Sequence, residues 1–474
     1  MLNTSRLSRK KLAILSLCLS TVLVGCKVGP NYKQPQFSIQ DKFHAKETKS
    51  VSNEKIGEKW WTVFNDSLLN EVIDDAVKKN NDIKIAIANI DQAKALRKIS
   101  TAGLLPSLNA DTSAARNKYS DKLSTVGKAN TFNASLDASW EIDLFGKNRR
   151  SVEAATARLE AAEAQKNAVM LSIMAEVAKN YFEVRGLQKH IDVSYRSVGL
   201  LKELEKLAEA QFKSGLVTEF DVSRARGERE SFEASIPNLE AEVQAGIYRI
   251  SLLTGKEPEY YLEKMLANPS LPTPPDIVPI GMRSEILRRR PDITVSERKL
   301  AAASADIGIA TADLFPSISL TGGIGTGARV FSDLFTGGSG AYSLAGALQW
   351  SVFNSGANNA RIDVARASSK SALAEYEKVV LSALSEVETS LARYGSEWQT
   401  LKQLNAAVKT RKEGYRIAKL RYEAGQENFL VILDAERSLI TAQDKVIQSE
   451  TSILTDLTQL YKALGGGWQT EPKS

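Results

Sequence analysis

Leu104-Leu105-Pro106-Ser107 returns as Leu314-Phe315-Pro316-Ser317, 210 residues further along the chain. The same interval relates Asp82-Ile83 to Asp292-Ile293, Trp140 to Trp350, Gly146 to Gly356, Phe212 to Tyr422, Gly215 to Gly425 and Gly255 to Gly465. No net insertion separates the copies between these anchors, so both must fold alike. The period is too long for a solenoid and predicts two copies of one unit with pseudo-twofold character. Leu271-Pro272-Thr273-Pro274-Pro275, with Pro279 beyond, reads as the linker between them. The chain divides accordingly into a leader (1–25), an N-terminal arm (26–66), a first repeat (67–266), a proline-rich linker (267–280), a second repeat (281–468) and a tail (469–474).

Each repeat reads as helix, strand, strand, long helix, turn, helix. From Phe132 to Leu144 apolar even positions (Phe132, Leu136, Trp140, Leu144) alternate without a break with polar odd ones (Asn133, Ser135, Asp137, Glu141). Tyr342, Leu344, Leu348, Trp350 and Val352 keep the same parity in the second copy. Strands are expected at about 107–118, 130–144, 317–328 and 341–353. After Gly146 the period changes. Ala157, Ala161, Ala164, Ala168, Leu171, Ala175, Ala178 and Phe182 step by four and three, beside a second stripe through Ala155, Leu159 and Ile173. Two offset seams on one helix mean neighbours on two sides. Long helices are expected at about 148–213 and 357–423, each about 100 Å at the α-helical rise, with returning helices at about 219–253 and 428–464.

The alternating segments match the ~9–11 residues of a membrane-spanning strand. Leu136, Leu344 and Leu348 are then expected to face lipid, and Ser135 and Ser343 a lumen. Lipid tolerates no open sheet edge, and four strands cannot close a spanning barrel alone. The chain must oligomerise: a dimer offers eight strands and a trimer twelve. The fold class is an α+β membrane protein, with a strand barrel continued by a helical one.

Arg6, Arg9, Lys10 and Lys11 precede an apolar run from Leu12 to Val24, too short to span a bilayer and of signal-peptide length. It ends in Leu23-Val24-Gly25-Cys26, which resembles a bacterial lipoprotein box. That resemblance implies an N-terminal diacylglycerol and N-acyl lipid on Cys26. By analogy with lipoprotein sorting, Lys27 in second place implies the outer membrane. Cys18 leaves with the leader. The net charge of +6 owes four positive charges to that leader, so the mature chain offers no strong nucleic-acid footprint. Two histidines, His44 and His190, argue against a histidine metal cluster, and no nucleophile–base constellation supports an enzyme. Gly323-Ile324-Gly325-Thr326-Gly327 lacks a Walker ending and lies on an alternating strand. Arg288-Arg289-Arg290 is expected to be a solvated helix approach, and Trp60-Trp61 a buried anchor.

The sequence resembles the outer-membrane factor family, the TolC-like exit ducts, and within it the lipoprotein branch serving RND-type efflux pumps. Cys26-Lys27-Val28-Gly29-Pro30-Asn31-Tyr32, Trp60-Trp61, Trp140-Glu141-Ile142-Asp143-Leu144-Phe145-Gly146, Arg289-Arg290-Pro291-Asp292-Ile293, Leu314-Phe315-Pro316-Ser317 and Gly465-Gly466-Gly467-Trp468 carry the likeness. The resemblance implies a homotrimer with a twelve-stranded barrel in the outer membrane and a twelve-helix periplasmic tube. It implies a periplasmic adaptor and an inner-membrane RND-type transporter as partners, and a tip that is closed until they dock. The rival reading is a lipid-anchored periplasmic coiled-coil adaptor, which would normally show one hairpin between lipoyl-like halves.

Asn428-Phe429-Leu430-Val431-Ile432-Leu433-Asp434-Ala435-Glu436-Arg437 matches the family's tip motif. By resemblance, Leu430 and Asp434 face the axis as constriction rings and Arg437 joins the locking network. Spacing agrees: i and i+4 share a helix face, and Asp434 and Arg437 at i,i+3 can pair, unless an acid on a neighbouring helix claims Arg437. The first repeat has Phe220 and Arg224 in the equivalent places, so such a gate is not sixfold symmetric.

Overall fold

The computed structural model describes residues 27–37, 42–44, 51–52, 54, 56–118, 128–267 and 269–468. Cys26, the leader and the tail lie outside the described residues. The main helices are α1 (Ser67–Lys79), α2 (Asn81–Ala102), α3 (Lys147–Lys213), α4 (Glu219–Glu233), α5 (Ile236–Leu253), α6 (Pro291–Ala312), α7 (Ala357–Glu423) and α8 (Phe429–Ala463). The main strands are β1 (Ser107–Lys118), β2 (Lys128–Ile142), β3 (Ser317–Ala328) and β4 (Gly340–Gln349). Two compact units share them: one from residues 1–36, 89–163 and 295–377, the other from 37–88, 164–294 and 378–474.

In the first unit the strands form one antiparallel sheet in sequence order, with β1 and β4 as its edges. The register aligns Ala110, Leu136, Ile324 and Tyr342 in one row, and Leu108, Ala138, Gly322 and Leu344 in the next. The row between them is Asn109, Asp137, Gly323 and Ser343, and the row beyond Ala110 is Asp111, Ser135, Gly325 and Ala341. Because side chains alternate along a strand, one face is apolar and the other polar or small. The apolar face is bare in the single chain: Tyr342 is 88% exposed and Leu344 85%. Among the described residues no helix is long and apolar enough to cross a membrane.

The duplication extends to individual hydrogen bonds. Trp140 Nε1 donates to Leu104 O and Trp350 Nε1 to Leu314 O, both at 3.0 Å. Asn148 Nδ2 donates to Gly103 O at 3.0 Å, and its counterpart Asn358 to Asp313 O at 2.8 Å. The fourth strand ends at Gln349, short of the expected 353. Its partner β3 begins at Ser317, opposite Gln349, and Pro316 has no N–H to extend the ladder. β2 ends at Ile142, paired with Ile318, for the same lack of a partner. The arm enters beside this base. Buried Arg150 donates Nε to Val28 O at 2.9 Å and Nη2 to Gly29 O and Asn31 Oδ1 at 3.0 Å.

In the second unit Trp60 and Trp61 are buried; Trp60 stacks on Tyr461 at 5.0 Å, and Phe64 packs on Phe182 at 4.8 Å. Helices meet end to end. Asn80 Oδ1 caps the start of α2 by accepting from Asp82 N and Ile83 N, while Nδ2 donates to Leu253 O at the end of α5. Arg290 repeats this joint between α6 and α8, donating Nη1 to Ala463 O at 3.1 Å and Nη2 to Asp292 at 2.6 Å. Nη1 also reaches Glu386 on α7 at 2.7 Å. A glycine follows each helix end. Gly255 (φ 65°) and Gly465 (φ 72°) adopt left-handed backbone, and an added Cβ would meet Lys79 O at 2.5 Å or Arg289 O at 2.9 Å.

Two further expectations differ from the structure. The returning helix expected over 219–253 is broken at Ala234–Ser235 into α4 and α5, because Pro237 opens α5 and cannot continue an interior ladder. Its counterpart α8 runs unbroken for 35 residues. The arginine run is not uniformly solvated. Arg290 is buried, and Arg289 bonds Glu285 at 3.0 Å. Of the three, Arg290 ties helix ends together, Arg289 pairs within its own turn, and Arg288 is exposed.

Candidate functional site

The two turns far along the chain from the strands are built alike. After α3, Leu216 N donates to Gln211 O at 2.9 Å; after α7, Gln426 N donates to Arg421 O at 2.8 Å. These six-to-one bonds, around Gly215 (φ 72°) and Gly425 (φ 71°), are Schellman terminations. The next helices are capped at once. Thr218 forms a capping box with Asp221, and Asn428 accepts from Val431 N. A glycine three residues before a cap therefore reverses the chain in each copy.

Four helices bury one cluster behind these turns. Leu201, Leu204 and Ala208 come from α3, Val222 and Ala225 from α4, Ala418 and Tyr422 from α7, and Phe429, Ile432 and Leu433 from α8. Burial of Phe429, Ile432, Leu433 and Ile440 orients α8 and leaves Leu430, Asp434 and Arg437 on its exposed side. The first two share a stripe at i,i+4. Arg437 is claimed by Glu228 of α4: Nε donates to Oε1 at 2.6 Å and Nη2 to Oε2. Asp434 raises the Arg437 pKa only through space, after the larger effect of Glu228. Phe220 and Arg224 are exposed on α4.

Sequence reasoning assigned no role to Glu436. It lies one turn beyond Ile432 on the buried face of α8 and has no exposed surface. Burial, then the charge of Glu228, pushes its carboxyl up to about 8; Lys419 opposes the shift and Glu203 adds to it. It shares the inner stripe of Ile432 and Leu433 at i+4 and i+3, a signal that its charge masks in the sequence. Of the two histidines, His190 is near Asp444, with Nε2 3.2 Å from the carboxylate. Hydrogen bonding to that carboxylate raises its pKa.

The family described as "Outer membrane efflux protein" matches residues 72–256 and 282–466, two segments separated by the same 210-residue interval. The chain belongs to the outer membrane efflux protein family. Nodulation protein T of Rhizobium leguminosarum bv. trifolii is 30% identical over 456 residues, covering 96% of this chain and 97% of that one. Toluene efflux pump outer membrane protein TtgF of Pseudomonas putida is 30% identical over 466 residues, 96% of each chain. Among solved structures, the outer-membrane channel OprN superposes with a TM-score of 0.88 at 34% identity, covering 94% of this chain and all of that one. The Campylobacter jejuni CmeC outer membrane channel gives 0.85 at 26%, covering 93% and 95%.

This outer membrane efflux protein therefore has the α+β fold of the TolC-like channels and is an exit duct in the outer membrane, not an enzyme. The family match decides against an adaptor. The two strand hairpins of this chain are its membrane part.

Proposed function

We propose that the duct is a homotrimer whose sheets close edge to edge into a twelve-stranded barrel. One observation carries this reading: a single sheet with one apolar face, one polar face and two unpaired edges. Three copies satisfy the edges and turn the polar rows toward a water-filled lumen. Cargo enters at the helical tips from a periplasmic adaptor and an inner-membrane RND-type transporter. Leu430 and Asp434 from three chains form an apolar and an acidic ring around the axis, and Arg437 braces them through Glu228.

Like charges brought together disfavour simultaneous ionisation, so an acidic ring attracts cations. In planar bilayers, Asp434→Ala and Arg437→Ala should open wider or more often than wild type. Asp434→Ala should also lose block by divalent cations. Folding should be nearly unaffected, since exposed pairs contribute ~0–1 kcal/mol. Unaltered conductance and cation block in both variants would place the constriction elsewhere.

A lipid on Cys26 anchors the same protein. Starting two residues beyond Cys26, Val28, Gly29 and Asn31 are held by Arg150 at the base of the strands. Intact mass of the mature protein should give an acylated chain starting at Cys26. Cys26→Ala should weaken membrane retention while the strands still insert, because one acylated residue is only part of the attachment. A mature wild-type chain without lipid refutes the anchor.

A further inference from the structure

We infer that Glu436 is a proton-operated latch: protonated, it lets the four helices of a tip pack closely; ionised, it loosens them. Its side chain has no exposed surface, and neither carboxyl oxygen has a hydrogen-bond partner. One chain alone seals it, so no neighbouring subunit touches it. Every helix around it presents a titratable group: Glu203 from α3, Glu228 from α4, Tyr415 and Lys419 from α7. The nearby cations are committed. Lys419 lies 3.7 Å from Glu203, and Arg437, with exposed Asp434 beside it on α8, is bonded to Glu228. An ionised Glu436 would thus be a buried charge with no hydrogen bond and only the through-space pull of Lys419, outweighed by burial and Glu228, which the tip relieves by opening to water.

The repeat shows that the fold does not require this acid. The places of Glu436 and Tyr415 in the first copy hold Arg226 and Glu205, an ion pair at 3.0 Å in which Arg226 is about half exposed and Glu205 is mostly covered. One copy has an ion-paired arginine where the other has a buried carboxyl without a hydrogen bond.

The direction with pH follows. A carboxyl raised from 4.5 to about 8 by burial favours the neutral form in the closed tip. Its contribution to closure is complete below about 4.5 and is lost as pH rises toward about 8. Within that window each pH unit shifts the closed–open ratio by up to about tenfold. Acid latches the tip and alkali releases it. The consequence for conduction rests on the gate proposed above; the test does not.

Hydrogen exchange of the detergent-solubilised full-length protein, corrected for intrinsic amide chemistry, reads the opening of segment 427–440 between pH 5 and pH 8. Wild type should open increasingly with pH, by up to about tenfold per unit. Glu436→Gln and the similarly sized apolar Glu436→Met should show no such slope, and strand and joint segments should show none in any variant. Equal slopes in wild type and both variants, or a wild-type slope absent from 427–440, overturn the latch. Failure of the gate would instead appear as unaltered conductance in Asp434→Ala.

Discussion

Leu344→Arg should destabilise the folded barrel by ~2–4 kcal/mol, whereas Ser343→Arg should cost far less. Both residues sit mid-strand on β4, one position apart, so strand propensity and edge position are nearly shared. They differ in face. Leu344 belongs to the apolar row with Leu108, Ala138 and Gly322, and as the barrel's outer surface it meets hydrocarbon. Ser343 shares the polar row with Asp137, where a guanidinium finds water and a carboxylate. Denaturant titration of folding into phospholipid vesicles measures the difference. Equal costs would mean that the two faces see the same solvent, and a larger cost at Ser343 would reverse the lumen and lipid assignments.

Arg290→Ala should loosen the joint between α6, α7 and α8 at a cost of about 3 kcal/mol. One fork reaches Asp292, Glu386 and Ala463 O, so truncation strands a buried carbonyl and two acids at once. The acids are about half exposed and can rehydrate, which keeps the cost below that of a sealed pair. Lysine retains the charge but not the planar fork, so Arg290→Lys should recover only part. Hydrogen exchange should show the loss at 286–296 and 460–468 and spare the tips. Protection lost equally at 427–440 would mean that the chain responds as one cooperative body and that the joint is not a local fastening.

The duplicated frame was legible because apolar period and punctuation are local properties. The alternation from Phe132 onward and the four-three stepping after Gly146 place β2 and α3 without tertiary information. Strand ends were less legible. Trp350 to Val352 keeps the alternating pattern, but a strand also needs a partner, and that depends on where Pro316 stops the neighbour. Pro237 was visible in the chain, yet the unbroken periodicity on either side concealed the break it makes. At the tip, Leu430, Asp434 and Arg437 share the exposed side of α8, as their spacing allowed. The choice of Glu228 over Asp434 by Arg437 required the packing of α4 against α8. Glu436 was hidden by its chemistry: an acid in a helix suggests solvent, and only the residues around it show that it faces none.

The joints at Gly255 and Gly465 have a hereditary consequence. Each fixes where one helix stops and another starts, to within a single Cβ. A residue gained or lost within α5 would rotate the end of that helix by about 100° and carry Leu253 away from Asn80. The same holds for α8, Ala463 and Arg290. Length in these helices is therefore not free to drift one codon at a time. Insertions of near-whole turns, matched along the paired helices, preserve the joint, and the constant 210-residue interval between the copies agrees with that restriction.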